Sequence, residues 1–196
     1  MKVIDNFLSP YYFKSLQNVL MGDDFPWYYT VSQYSKDNKL VTAKPDFGYQ
    51  FTAAFFRDGI RYNHYPLIEP CLRELGVYEL YRIKANLNTG TVFHRHTGWH
   101  YDIENVTTAV FYINSNNGYT KFKKGGKVKS VENRMVIFDS NLEHAGFTCT
   151  DENVRVVLNF NYTTYPKPRI IKCPKLLLKL NSFALNLYQK RQRIVS

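Results

Sequence analysis

Hydrophobic and polar positions along this chain follow two rhythms, and the change falls near Val77. Before it, helix-like and strand-like stretches are mixed. Val3-Ile4 predicts a short strand running into a turn. Ser9-Pro10 predicts a helix start, with Ser at the N-cap and Pro at the first helical position. That helix is expected to reach about Met21, with Phe13, Leu16, Val19 and Leu20 on one stripe and Gly22-Asp23-Asp24 as its end. Phe25 to Tyr34 and Phe47 to Phe56 are aromatic and read as strands. Ser35 to Pro45, polar and basic, reads as a surface loop, and Arg57-Asp58-Gly59 as a turn. Pro66 to Leu75 places Leu67, Ile68, Cys71, Leu72 and Leu75 at helical spacing, with Gly76 as the stop.

After Val77 the pattern shortens into strands. Tyr78 to Leu87, Thr107 to Ile113, Lys127 to Val131, Met135 to Phe138 and Val154 to Tyr162 alternate with Gly-, Asn- and Asp-rich turns. Short strands at such spacing predict a sandwich or barrel. The tail from Pro166 differs again. Leu176, Leu177, Leu180, Phe183, Ala184 and Leu187 suit a helix packed on the domain, with Lys190, Arg191 and Arg193 near its C-terminus, where cations suit the dipole. No internal repeat is visible. The expected organisation is one domain over 1–196: an N-terminal support (1–76), a barrel core (77–165) and a helical tail (166–196).

Composition sharpens this picture in a few places. A length of 196 residues suits one domain with a substantial core. An aromatic content of 16% favours a β-rich fold. The formal charge of +10 attracts acidic partners, and so admits nucleic acid, but a merely basic surface explains it equally well. Cys71, Cys149 and Cys173 form neither a disulfide framework nor a metal knuckle. Met1 to Asp5 lacks an apolar signal region, and no run approaches the roughly 18 apolar residues of a membrane span. A soluble, cytoplasmic protein without a membrane partner is expected. Its oligomeric state cannot be read.

Candidate chemistry centres on His100-Tyr101-Asp102. On a strand, residues two apart share a face, so an imidazole and a carboxylate would leave one surface together. With a second histidine they make the facial arrangement of non-haem Fe(II) oxygenases. A lone His-x-Asp arises easily by chance, so His144 and Arg155 carry the weight. Thr150 to Asn153 reads as a turn, and a hairpin with a two- or four-residue loop there puts Arg155 on the face of His144. The separation is about 13 Å at a strand rise near 3.3 Å per residue. A diacid bound to a metal at His144 would span that gap and meet Arg155 in a bidentate pair. A three-residue loop would reverse the parity. Taken singly, His144 reads as a loop histidine, Arg155 as a solvated strand residue and Asp102 as a turn residue or lysine partner. Their order and strand context favour a joint role.

These motifs resemble the 2-oxoglutarate- and Fe(II)-dependent dioxygenases, in the prolyl 4-hydroxylase-like branch, from about Val3 to Tyr162. The segments that match are Val3 to Ser9, His100-Tyr101-Asp102, Tyr112-Ile113-Asn114 with Gly118 to Phe122, Asn133 to Phe138 followed by His144, and Arg155 to Phe160. Arg155 stands where that branch often has lysine. The resemblance implies a mainly β, α+β architecture: a double-stranded β-helix, or jelly-roll, cupin-like barrel, with helices packed outside. It implies Fe(II) on His100, Asp102 and His144, 2-oxoglutarate and O2 as cosubstrates, and ascorbate as an accessory reductant. The implied reaction is C–H hydroxylation with release of succinate and CO2. Halogenases of the superfamily lack the carboxylate ligand, so Asp102 argues for hydroxylation.

Around this centre, Arg82, Lys84 and Asn86 share one strand face. If it faces the cavity, Asn86 would bind 2-oxoglutarate and the two cations would draw an acidic substrate. Otherwise it is a solvated face. Asn159 and Asn161 share the parity of Arg155, and Asn159 is a cosubstrate candidate. His96 and Tyr112 are candidates for the mouth, while Trp99 and Tyr101 should face away. A zinc pair at His96 and His100 is disfavoured, because no helix crosses Gly98-Trp99. The expected substrate is a peptide or protein side chain, proline first. The alternatives are oxidative nucleobase demethylation and a non-enzymatic, basic nucleic-acid-binding jelly roll. Tyr28, Tyr29, Tyr34, Lys36 and Lys39 would serve either as stacking groups or as a peptide-binding lid.

Overall fold

The computed structural model describes residues 1–31 and 41–165. The expected tail helix, the strand end at Tyr34, Lys36 and Lys39 lie outside the described residues. The chain opens with β1 (Lys2–Ile4), helix α1 (Pro10–Leu20), β2 (Tyr28–Val31), β3 (Val41–Ala43), β4 (Tyr49–Arg57) and β5 (Ile60–Arg61). A 3-10 turn (Tyr65–Ile68) and helix α2 (Glu69–Leu75) follow. Then come β6 (Val77–Thr89), β7 (Trp99–His100), β8 (Thr107–Tyr112), β9 (Tyr119–Phe122), β10 (Lys127–Lys129), β11 (Arg134–Asp139), β12 (His144–Phe147) and β13 (Val154–Thr164).

These strands make two antiparallel sheets. One has eight strands in the order β1-β11-β8-β13-β6-β4-β2, with β5 on β4, and the other has five in the order β10-β9-β12-β7-β3. From β6 onward the chain moves back and forth between them, which is the winding of a double-stranded β-helix. The mainly β, jelly-roll architecture expected from the sequence is therefore present, with the helices outside.

Alternation along the central strands separates core from cavity. Ile83 and Ala85 of β6, Phe111 of β8, and Leu158 and Phe160 of β13 turn to one face. There they bury against Phe13, Leu16 and Leu20 of α1 and Cys71 and Leu75 of α2. The intervening Arg82, Lys84, Asn86 and Asn88 of β6 and Arg155, Val157 and Asn159 of β13 line a cavity instead. A second apolar cluster, including Tyr112, Phe122, Val136, Phe138 and Val157, lies on the cavity side of the eight-stranded sheet. Gln17 is buried on α1, where the apolar stripe gave no sign of it. Its amide donates to the Ile113 carbonyl at 2.7 Å and ties the helix to the barrel.

Local differences from the expected elements have physical causes. Pro66 to Leu75 is not one helix, because Pro70 has no N–H to bond Pro66 and the α-helical ladder starts only at Glu69. Val41–Ala43, expected in a loop, gains strand geometry by pairing with β7. At Asp58-Gly59 both residues have positive φ, 52° and 79°, the geometry of a two-residue hairpin turn between β4 and β5. Among the described residues no helix is long and apolar enough to cross a membrane.

Candidate metal centre

β7 and β12 are neighbours, with His144 directly opposite His100. Their ring centroids lie 4.4 Å apart. His100 Nδ1 lies 3.0 Å from the Gly98 carbonyl and His144 Nδ1 lies 2.9 Å from that of Leu142. A carbonyl only accepts, so each Nδ1 carries the proton and donates it. Each Nε2 then presents a lone pair, as metal-ligating histidines require. Asp102 does not lie on the strand, as the two-residue spacing had implied. β7 ends at His100, and Asp102 is held just beyond by its own N–H donating to the Ser140 carbonyl at 3.2 Å. Its Oδ2 still comes within 3.8 Å of His144 Nε2. The candidate ligand atoms of His100, Asp102 and His144 all lie within 4.8 Å of one another.

A closed circuit fixes the Asp102 carboxylate. Arg82 Nη2 donates to Oδ1 at 3.0 Å, and the Thr108 hydroxyl donates to Oδ2 at 2.8 Å. Arg82 Nε donates to Asn161 Oδ1 at 3.0 Å, and Asn161 Nδ2 donates to Thr108 Oγ1 at 3.0 Å. Burial opposes charge on Asp102, but His144, His100, Arg82 and the Thr108 hydroxyl outweigh it and hold the carboxyl below its usual range. Burial, with His100 beside it, pushes His144 down to about 4. A charged carboxylate and a neutral imidazole are the protonation states that bind a dication. Two imidazole nitrogens and one carboxylate on one side of a cavity fit a non-haem Fe(II) site.

The same cavity, of about 390 Å³, reaches Arg155. This guanidinium is buried, and among the described residues no carboxylate pairs with it. Its Nε donates to Ser130 Oγ at 2.8 Å and its Nη2 to Thr120 Oγ1 at 3.2 Å. The Tyr112 ring lies 5.6 Å from its central carbon. Gly118 leaves room for it, since a Cβ there would meet Arg155 Cδ at 2.7 Å. Asn86 Oδ1 and Asn88 Nδ2, both on the cavity wall, are buried without a hydrogen-bond partner among the described residues. A buried cation beside the free N–H of Asn88 favours a polar anion, while Asn86 Oδ1 can only accept.

The route by which His144 and Arg155 come together corrects the expected hairpin. β12 pairs with β7 and β9, whereas β13 pairs with β6 and β8. Residues 148–153 therefore carry the chain from one sheet to the other. The two side chains line one cavity from different sheets, and strand parity along a hairpin has no part in it.

Other expected positions divide. Arg82, Lys84, Asn86 and Asn159 line the cavity, so the solvated-face alternative does not hold. His96 is not part of the lining. Its Nε2 lies 3.2 Å from Asp46 Oδ2, and its Nδ1 accepts from the Gly98 N–H at 3.2 Å. Tyr112, expected at the mouth, is fully buried against Arg155 and donates to Thr120 Oγ1 at 2.9 Å, because its strand position faces the apolar cluster. Tyr101 lines the cavity rather than facing away, since the strand alternation has ended before it. Tyr28 and Tyr29 are exposed, next to the lining residues Thr30 and Val31. Sequence reading missed Thr108, Thr120 and Ser130, which look like ordinary strand residues. Asn88 lies just past the expected strand end at Leu87, yet β6 runs on to Thr89 and Asn88 continues the parity of Arg82, Lys84 and Asn86.

Several solved structures share this arrangement of sheets. The viral collagen prolyl hydroxylase vCPH from Paramecium bursaria Chlorella virus-1, solved with 2OG, aligns over 84% of this chain and 96% of its own, with a TM-score of 0.51 and 14% identity. An oxidoreductase of the 2OG-Fe(II) oxygenase family from Burkholderia pseudomallei aligns over 76% of each chain, with a TM-score of 0.51 and 12% identity. SnoK, a non-heme alpha-ketoglutarate-dependent carbocyclase from nogalamycin biosynthesis, aligns over 83% of this chain and 78% of its own, with a TM-score of 0.51 and 11% identity. No family model and no curated protein matches the chain. At these identities the shared property is the fold, which is the double-stranded β-helix of 2OG-Fe(II) oxygenases.

Proposed function

We propose that this protein is a 2-oxoglutarate- and Fe(II)-dependent oxygenase that hydroxylates a C–H bond on a peptide or protein side chain, with proline the first candidate. One observation carries the reading: a His-His-Asp donor set and a buried guanidinium that no carboxylate among the described residues pairs with share one cavity. His100, Asp102 and His144 would hold the iron. Arg155, oriented by Ser130 and Thr120, would take the far carboxylate of 2-oxoglutarate in a charge-assisted pair, with Asn88 offering its free amide N–H. When bound, the metal, 2-oxoglutarate and O2 supply the oxidising power, and succinate and CO2 leave. The chain's own contribution is to orient the donors, keep both histidines ready to ligate and screen the site behind Phe122 and Phe138, which pack on His144. The motif match to the prolyl hydroxylase-like branch and the fold shared with a collagen prolyl hydroxylase support a peptide substrate.

The test is anaerobic titration with Fe(II) or Mn(II) and then 2-oxoglutarate, followed by succinate release with proline-containing peptides. His100→Ala and His144→Ala should abolish metal binding while the fold persists. Arg155→Ala should weaken 2-oxoglutarate binding by roughly tenfold to a hundredfold, the worth of a hydrogen-bonded charge pair, and leave metal binding intact. Unchanged metal affinity in both histidine variants, or unchanged 2-oxoglutarate affinity without Arg155, would refute the reading.

A further inference from the structure

The cavity carries more positive charge than a metal and a dicarboxylate cosubstrate account for. Its wall holds Arg82, Lys84 and Arg155 against a single carboxylate, Asp102. Arg82 is committed to Asp102 and Asn161. Arg155 is the cosubstrate anchor proposed above. Lys84 remains: among the described residues it makes no hydrogen bond and no ion pair, and Asp102 acts on its charge only at longer range. With a divalent metal in place, the two carboxylates of 2-oxoglutarate would still leave the cavity net positive.

Position along β6 separates Lys84 from the cosubstrate end. Asn88 and Asn86 are buried at 2% and 6% exposure, as is Arg155 at 2%, whereas Lys84 and Arg82 are only partly buried. Arg155 is the register partner of Asn88, and Asn159 is the register partner of Lys84. The wall therefore runs from a closed end at Arg155 and Asn88 to a more open end at Lys84, Asn159 and Arg82. Asn159 is also partly buried and has no side-chain hydrogen bond among the described residues. An ammonium and an amide thus stand side by side, unpartnered, on the open half of a site that must also admit a substrate. Burial, then the neighbouring Arg82, depresses the Lys84 pKa to about 8, so a bound anion would relieve a real cost.

We infer that the substrate of this site is acidic, and that Lys84, with Asn159 beside it, takes a carboxylate of the substrate close to the carbon to be oxidised. This rests on the oxygenase reading above and extends it from a peptide to an acidic peptide. A cavity of about 390 Å³ that also holds a metal and a cosubstrate sits at the small end of ligand sites (roughly 300–1,000 Å³) and suits an acidic side chain better than a nucleotide.

The experiment uses the full chain loaded with Mn(II) and 2-oxoglutarate, so that nothing turns over. Calorimetry compares matched ligands: proline peptides with Glu or Gln beside the proline, and N-acetylproline against N-acetylprolinamide. The acidic member of at least one pair should bind about tenfold tighter or more, as a charge-assisted contact predicts. Lys84→Met should erase that preference, Lys84→Arg should retain part of it, and 2-oxoglutarate affinity should stay within about twofold in both. Three results would overturn the inference: no acid preference in either pair, a preference unaffected by Lys84→Met, or a loss of 2-oxoglutarate affinity in Lys84→Met as large as in Arg155→Ala, which would make Lys84 a cosubstrate group. Tighter binding of oligonucleotides than of any acidic peptide, dependent on Lys84, would also overturn it in favour of phosphate. Metal and 2-oxoglutarate binding to the unaltered protein are measured first. If those fail, the oxygenase reading itself falls, so the two failures are distinguishable.

Discussion

Each oxygen of Asp102 is claimed by its own donor, Oδ1 by Arg82 and Oδ2 by Thr108. That is an unusual investment for a residue of a solvated turn, and it makes sense if the carboxylate must hold one orientation. Arg82 acts here as a positioning residue. Its charge repels a dication, but its two hydrogen bonds stop the carboxylate from rotating and stop Asn161 from releasing Thr108. Arg82→Gln should therefore lower Mn(II) affinity by roughly tenfold to a hundredfold, the usual effect of removing an outer hydrogen-bond partner of a ligand. Thr108→Val should act in the same direction. The measurement is a metal titration followed by electron paramagnetic resonance, whose line shape would also broaden if Asp102 gained freedom. An unchanged affinity in both variants would show that these hydrogen bonds do not position the carboxylate for the metal.

At the scale of elements, the cavity depends on close approach between the two sheets. Gly118, just before β9, lies against Arg155 of β13. A Cβ there would meet Arg155 Cδ at 2.7 Å, Asn116 Oδ1 at 2.7 Å and the Phe147 carbonyl at 2.9 Å. The last of these is backbone and cannot swing away. Gly118→Ala should displace Arg155, weaken 2-oxoglutarate binding and cost about 1–3 kcal/mol of stability through overpacking, while the metal site keeps its affinity. Paired denaturation and titration would check this, and a loss of metal binding of equal size would point to wholesale unfolding. This contact also marks how far a sequence can be read. The period-two pattern was visible, and it put Arg82, Lys84 and Asn86 on one strand face and Asn159 at the parity of Arg155, but it did not tell which side of the sheet that face would meet. The grouping of His100, Asp102 and His144 was visible because residue type and order suffice for it. Which strand pairs with which was not. A turn at residues 150–153 looks the same whether the chain folds back on its neighbour or crosses to the opposite sheet, and only long-range pairing distinguishes the two. Thr108, Thr120 and Ser130 were silent for a similar reason. A hydroxyl on a strand has no local signature of the partner it will meet.

For the molecule as a whole, the cavity is a local cost accepted for a site, and pH exposes that cost in the metal-free protein. His144 is held down to about 4 from an ordinary 6.5, chiefly by burial. Below pH 6.5 the unfolded chain takes up a proton there that the folded chain refuses. Stability should therefore fall as pH drops from about 6.5 to about 4, and level off below. The carboxyl of Asp102, also held low, adds to the loss further into acid. Lys84 works at the other end of the scale. Its pKa is depressed to about 8 from 10.5, so between those values the unfolded chain holds the extra proton and stability should rise with pH. The His144 contribution is of the order of a few kcal/mol, since one pKa unit corresponds to about 1.4 kcal/mol. The check is chemical denaturation of metal-free protein from pH 4 to 10, set against His144→Phe, which keeps an aromatic ring in the pocket without a titrating group. The variant should lose most of the acid-side slope and keep the rise above pH 8, whereas Lys84→Met should do the reverse. Adding Mn(II) should raise the stability of the unaltered protein, because its binding free energy is folding free energy. If His144→Phe keeps the full acid slope, His144 is not the group that titrates, and the neutral-imidazole geometry assigned to the metal centre loses its electrostatic support.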